Sequence, residues 1–367
     1  YLSGKKQGAE AHNWQYGGQK AEPLDFVLTR QFIPPEAKKW EMGGSWPELH
    51  REQARHEYCE LAGKRMLVAA YEPGGIFEVW AHPFMAFRDF ETILSFSDDT
   101  IIALNDQRPS IIIAPASITR NYGFPNGAIL KEIMTVSPDR PVGVIHYEYE
   151  GPAARIMVQY KTHMRMMWPY SEKVLKTLKY GYQPGYNAME ITAPEGSITT
   201  LVGASKRPAN TVAAPCIRDE ATKGEDMVIP SDSIFGVCAG QYYDLGPIDQ
   251  LDIVFAAGSE RRDSVIAAYM QALADPEGIY RDAVEHYDNL FGDMLMITSP
   301  DENFNKGYAW ALAATDRFFV ETPGLGTSIV AGYNGTDRGW DGGHAVNGRP
   351  GYAWYFGRDA VWSAFAI

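Results

Sequence analysis

From Lys64 onward the chain falls into short apolar runs: RMLVAAYEP, GIFEVWAHP, TIIALNDQ, SIIIAPASITRNY, AILKEIMTVSP and VGVIHYEYEG. Pro, Gly, Asp and Asn separate them. VGVIHYEYE alternates apolar and polar positions, the period of a strand with one face in a core. ARIMVQYKTHMRMMWP, AMEITAPEG, SITTLVGAS and QLDIVFAAGS extend the series to about residue 258, with no sustained helical period between them. Many short strands with regular turns predict an all-β sandwich of large size. The first 60 residues mix Gly, Pro and charge, and read as irregular apart from one short helix near residues 47–59.

At Ser259 the period changes. SERRDSVIAAYMQALADP places Val265, Ile266, Tyr269, Met270 and Leu273 at helical spacing. A second stripe holds Ile279, Ala283, Tyr287, Leu290 and Phe291. A third helix is signalled by Ser299-Pro300-Asp301, with Phe304, Tyr308, Ala311, Leu312 and Phe318 as its stripe and Pro323-Gly324 as its stop. A Gly/Asn/Asp-rich loop follows over 324–351, and from about Asp359 the chain is apolar enough to open a buried helix. The expected organisation is a β-sandwich domain over 1–258, a helical linker over 259–297 and the start of a helical domain over 298–367. Three helices cannot bury themselves alone in a large fold, so that last domain reads as truncated.

Composition narrows the function classes. A length of 367 residues exceeds the usual size of one hydrophobic core. The net charge of −13 argues against nucleic acid and anionic membrane surfaces as partners and fits a neutral small-molecule or glycan substrate. No apolar run is long enough for a membrane span. Aromatics reach 13%, which fits either a β-rich core or a sugar-stacking surface. Cys59, Cys216 and Cys238 lie far apart, form no CxxC or Cys/His cluster, and read as buried free thiols. No metal site is indicated. The start YLSGKK, without an apolar leader, fits a mature terminus after export, and so a secreted or periplasmic location over a cytoplasmic one.

The candidate chemistry sits near the end. In GYAWYFGRDAVWSAFAI, Arg358 and Asp359 stand side by side among Tyr352, Trp354, Tyr355, Phe356 and Trp362. A guanidinium beside a carboxylate offers donors and acceptors to two neighbouring sugar hydroxyls, and aromatic rings supply a stacking wall. A structural ion pair in an aromatic core is the competing reading. The polar loop before it carries Asn334, Asp337, Arg338, Trp340, Asp341, His344 and Asn347, as loops that line sites do. Asp89, Glu91, Asp98 and Asp99 form a carboxylate group read as solvated turn residues, and HPFMAFRDF (82–90) as an interface with the helical domain. Dinucleotide, nucleoside-triphosphate, zinc-protease and α/β-hydrolase motifs are absent from the sequence.

SPDENFNKGYAWALAATDRFFV, SIVAGYN and RPGYAWYFGRDAVWSAFAI together resemble the start of the (α/α)6-barrel domain of amylo-α-1,6-glucosidase-like glycoside hydrolases, the glucosidase portion of glycogen debranching enzymes. The close match covers about residues 299–367. The resemblance implies a mainly β chain: a large N-terminal supersandwich, a helical linker and the first helices of an incomplete barrel. It implies hydrolysis of terminal, α-glucosidic bonds by an inverting two-carboxylate mechanism, with a carbohydrate substrate and no cofactor, though with room for a structural calcium. Arg358 and Asp359 would grip substrate hydroxyls, with Trp354, Tyr355, Phe356 and Trp362 around them. The general acid and base would lie beyond this chain. A glycan phosphorylase of the same architecture and a non-catalytic carbohydrate-binding fragment are the alternatives. The insert NGTDRGWDGGHAVNGR between the AGY and GRD stretches departs from the family pattern and leaves the sugar and linkage open. Oligomeric state is not indicated.

Overall fold

The computed structural model describes residues 20–24, 32–43, 46–162, 164, 166–167, 177–193, 196–217, 234–333, 353, 355–357 and 361. Strands dominate. In chain order they are β1 (Lys20–Pro23), β2 (Leu49–Arg51), β3 (Tyr58–Ala62), β4 (Met66–Tyr71), β5 (Ile76–Ala81), β6 (Phe84–Phe96) and β7 (Ile101–Ala103). Then come β8 (Ser110–Ile113), β9 (Ile118–Gly123), β10 (Ile129–Val136), β11 (Val142–Glu150), β12 (Ala154–Thr162), β13 (Thr177–Gln183) and β14 (Ala188–Thr192). The series closes with β15 (Thr199–Ala204), β16 (Asn210–Ile217), β17 (Ile234–Leu245) and β18 (Ile248–Gly258). Helices α1 (Arg262–Ala274), α2 (Pro276–Asp293) and α3 (Glu302–Asp316) follow, then a hairpin of β19 (Phe319–Thr322) and β20 (Gly326–Ile329).

The strands build two facing sheets. The larger has ten strands in the order β1-β13-β14-β15-β18-β11-β10-β9-β8-β2. The smaller has eight, in the order β16-β17-β12-β6-β5-β4-β3, with β7 added beside β6. Between them lies one continuous core that includes Leu61, Val79, Phe87, Phe90, Ile145, Tyr147, Val158, Tyr243 and Phe255. β12 shows the cause. Its burial alternates along ARIMVQYKT, so Ile156, Val158 and Tyr160 enter the core while Met157, Gln159 and Lys161 face out. Much of the aromatic content is spent here, on Tyr122, Tyr147, Tyr149, Tyr160 and Tyr243, and not on a surface.

Residues 251–258 of β18 are buried without alternation, because both faces of the large sheet are covered there. The outer cover is α1 and α2. Val265, Tyr269, Ala272, Leu273, Ile279 and Tyr280 pack on Ile133, Val142, Val144, Leu201, Val254 and Ala256. A Cβ on Gly203 would lie 2.1 Å from the Tyr269 hydroxyl, so only glycine lets that ring reach the sheet, where its hydroxyl donates to the Asn187 carbonyl at 3.1 Å. Arg262, at the first turn of α1, pairs with both oxygens of the fully buried Glu190.

Several expectations need correction. Residues 47–59 hold no helix; they form β2 and the start of β3, and Leu49 pairs with Ile113. The third helix does begin at Asp301, whose carboxylate accepts from the backbone of Asn303 and Phe304. Its buried face, however, is Ala309 and Ala313, while Phe304 and Ala311 are exposed. It ends at Asp316, and Pro323-Gly324 form the tip of the β19–β20 hairpin. Two of the three cysteines are not free: Cys216 and Cys238 form a disulfide, leaving Cys59 as the buried thiol. The pairing register of β16 on β17 sets Ala214 opposite Cys238, with a bulge near Cys216, and so closes a gap of 22 residues that sequence spacing alone does not reveal.

Candidate functional site

The segments that carry the aromatic motif meet on the outer face of the small sheet. On that face β3, β4, β5 and β6 present Ala62, Leu67, Trp80 and Met85. This position follows from the registers Ala62↔Leu67, Leu67↔Trp80 and Trp80↔Met85. Val320, Val330 and Ala353 are fully buried against them, with Phe318, Tyr333, Tyr355 and Met167 packed around. Backbone bonds fix the assembly: Glu321 N donates to the Lys64 carbonyl at 2.8 Å, and Val330 N to the Phe318 carbonyl at 2.9 Å. Arg65 bridges Glu260 and Glu321 beside it. Phe318 and Tyr333 meet edge to face, with ring centres 5.8 Å apart.

Two polar groups stand in this apolar setting. Tyr355 is half-buried, and its hydroxyl lies 2.9 Å from the Thr322 hydroxyl. The Tyr333 hydroxyl is buried and has no hydrogen-bond partner among the described residues. Burial pushes the Tyr333 phenol well above its ordinary range, reinforced by the nearby negative charge of Glu60. His82 stacks beside Tyr333 with ring centres 6.4 Å apart. Burial, with Arg65 adding to it, lowers the His82 imidazole to about 3, so it is neutral at physiological pH. The neighbouring carboxylates are engaged. Glu60 accepts from the Tyr58 hydroxyl at 2.7 Å, Glu78 from the Trp80 indole at 2.8 Å, and Glu321 pairs with Arg65. The described part of the site is therefore a largely buried aromatic and aliphatic cluster with one hydroxyl pair, Tyr355 and Thr322, and the carboxylates described beside it are engaged.

Of the residues singled out in the sequence, Tyr355 packs against this cluster and is half-buried, and Phe356 is half-buried too. Arg358, Asp359, Trp354 and Trp362 lie outside the described residues, as do Tyr352 and the loop residues Asn334, Asp337, Arg338, Trp340, Asp341, His344 and Asn347. HPFMAFRDF divides its residues. His82 and Met85 face the 318–355 segments, whereas Phe84, Phe87 and Phe90 point into the sandwich core. The four carboxylates do not form a reacting pair. Asp89 sits 3.3 Å from both Arg88 and Lys161, and Glu91 accepts from Gln159 at 2.6 Å. Asp98 caps the β6–β7 turn through Thr100 N at 3.1 Å. Tyr333 and Thr322 are not among the candidate site residues of the sequence, and His82 enters it only as part of the 82–90 interface stretch. Tyr333 had a signal in the AGY triplet and His82 in the aromatic stretch 82–90, whereas Thr322 is brought in by the hairpin.

Among the described residues no group of three or more His, Cys, Asp or Glu is spaced to hold a metal ion, and no helix is long and apolar enough to cross a membrane. No family model matches the chain, and no curated protein matches it. Among solved structures it is similar to a bacterial glucoamylase complexed with acarbose, at 11% identity over 78% of this chain and 43% of that one, with a TM-score of 0.46. A putative kojibiose phosphorylase from the human microbiome aligns at 7% identity over 74% and 40% of the two chains, TM-score 0.47. An inverting mannosidase of family GH92 from Bacteroides thetaiotaomicron aligns at 11% identity over 76% and 38%, TM-score 0.38. The chain spans less than half the length of each. Likenesses at these scores do not establish a common fold.

Proposed function

We propose that this chain is the sandwich and opening helical part of a carbohydrate-active enzyme, a glycoside hydrolase that cleaves terminal α-glucosidic bonds with inversion at the anomeric carbon. One observation carries the reading. The two parts of the motif, 331–333 and 353–356, are separated in sequence by the long insert, yet Tyr333, Ala353 and Tyr355 share one aromatic cluster. An aromatic wall with hydroxyl handles is what the apolar face of a pyranose and its ring of hydroxyls require. In this reading Arg358 and Asp359 follow directly from the wall and grip two neighbouring hydroxyls of the terminal sugar. Trp354, Tyr355, Phe356 and Trp362 shape the pocket. The general acid and base are assigned to later helices, since an inverting pair needs two carboxyl groups about 6.5–9.5 Å apart across the scissile bond.

The test is turnover of maltose and isomaltose by the full protein with and without inorganic phosphate. Hydrolysis with no phosphate requirement is expected. Cleavage only in the presence of phosphate would reassign the chain to a phosphorylase. The absence of turnover on any α-glucoside would remove the enzymatic reading.

A further inference from the structure

At one end of the sandwich, away from the aromatic wall, the chain before β3 and the turn after β7 enclose a polar pocket of about 790 Å³. Its size falls in the range of small-ligand sites, about 300–1,000 Å³. The frame is fixed. Ala54 N donates to the Pro109 carbonyl at 2.8 Å, tying the two walls together. The buried carboxylate of Glu72 accepts from Arg55 N at 2.8 Å and pairs with the Arg51 guanidinium at 2.9 Å. The lining is dense in planar polar groups: Gln53, Arg55, His56, Asn105, Asp106 and Arg108. His56 lies flat on Tyr71, with ring centres 4.9 Å apart and planes 6° from parallel, and is otherwise exposed. The Asn105 side-chain oxygen is buried and has no hydrogen-bond partner among the described residues. A Cβ on Gly75 would fall 2.6 Å from that oxygen, so the bare backbone of Gly75 holds the amide in place.

We infer that this pocket is a second saccharide site, one that takes a neutral oligosaccharide. The chemistry selects that class. The lining holds both donors, Arg108 and His56, and acceptors, Glu52 and Asp106, as a polyhydroxylated ligand demands, and the supported imidazole face offers a stacking surface. An anion is disfavoured because two of the three arginines of the lining are already matched, and Glu52 and Asp106 stand in the same lining as Arg108. Arg51 is paired with Glu57 and Glu72, and Arg55 lies 3.5 Å from Glu57. The inference goes beyond the reading of the aromatic wall, because this site is built from different residues and carries no chemistry of bond cleavage. It would hold a glycan chain against the sandwich.

The experiment is site-resolved amide NMR of the full protein titrated with maltotriose, cellotriose and mannotriose, and separately with inorganic phosphate. At least one trisaccharide should shift the amides of 50–56 and 105–108 saturably. His56→Ala and Arg108→Ala, both at exposed positions that the fold does not need, should each weaken that binding about 10-fold, the worth of one lost polar contact. Asp359→Ala should leave it unchanged. The inference is overturned if no trisaccharide shifts these amides, if neither pocket variant weakens binding, or if phosphate binds there instead. The two readings fail separately. Binding abolished by Asp359→Ala alone would sink this site and spare the aromatic wall. Binding abolished by the pocket variants alone would support this site whatever becomes of the wall.

Discussion

At the residue scale, the interior of the sandwich contains a charge that must be matched. Arg120 points into the core from β9 and is almost fully buried. It pairs with Glu132 of β10 and donates to the carbonyls of Glu72 and Tyr71, each at 2.9 Å, so one side chain joins both sheets. Removing one partner strands the other charge. Arg120→Met should cost about 3–5 kcal/mol in urea unfolding, and pairing it with Glu132→Leu should recover part of that loss. His146 offers a pH-dependent counterpart. It is fully buried on β11 under Trp40, whose ring stacks on it at 4.6 Å, with Asp252 at 2.7 Å and Glu148 at 3.7 Å. Burial opposes its charge, but the hydrogen bond to Asp252 and the nearby carboxylate of Glu148 outweigh burial and hold its imidazole above the ordinary value. The folded value is thus raised over the unfolded one of about 6.5. The pair's contribution is complete below that point and is lost as pH rises through the folded value. Stability should therefore fall between pH 6 and pH 9 by an amount that His146→Gln abolishes, as measured by urea midpoints at both pH values. None of this was legible in sequence. Arg120 and Glu132 look like surface positions until register turns them inward, whereas Asp301 announced itself as a helix cap through local chemistry alone.

At the element scale, α1 is held by one ion pair and one ring. Glu190 is fully buried on β14, and its charge is met by Arg262, which keeps about a third of its side chain exposed (38%). Arg262→Ala should destabilise by about 1–3 kcal/mol, less than a fully buried pair because water screens the guanidinium. Amide exchange should rise first across residues 262–274. The disulfide tests another element. Closing a loop of 22 residues should contribute about 3 kcal/mol, so Cys216→Ser with Cys238→Ser should lower the urea midpoint to match. The stripes of α1 and α2 were readable because their apolar residues do face inward: that of α1 onto the large sheet, that of α2 onto the sheet through Ile279 and onto Ala116 and Ala313 through Ala283 and Tyr287. The stripe assigned to α3 failed because small residues, Ala309 and Ala313, make the close contact, while Phe304 stays exposed. Hydrophobicity alone cannot distinguish a small residue in a tight contact from a large one on the surface. The helix expected near 47–59 failed for a related reason: the pairing of Leu49 with Ile113, 64 residues further along the chain, is a tertiary choice that no local pattern records.

At the scale of the whole molecule, the order of strands then helices was legible, and so was the change of period at Ser259. The meeting of 331–333 with 353–356 was not, because the hairpin of β19 and β20 and the outer face of the small sheet bring them together. That convergence supports the account of a sugar pocket ending in Arg358-Asp359. The most direct measurement is the turnover of maltose and isomaltose by the full protein and by Asp359→Ala, with thermal midpoints recorded beside the rates. The account predicts a loss of at least about 100-fold, the scale set by misplacing a bound substrate, with an unchanged midpoint. Near-normal turnover in Asp359→Ala would contradict it.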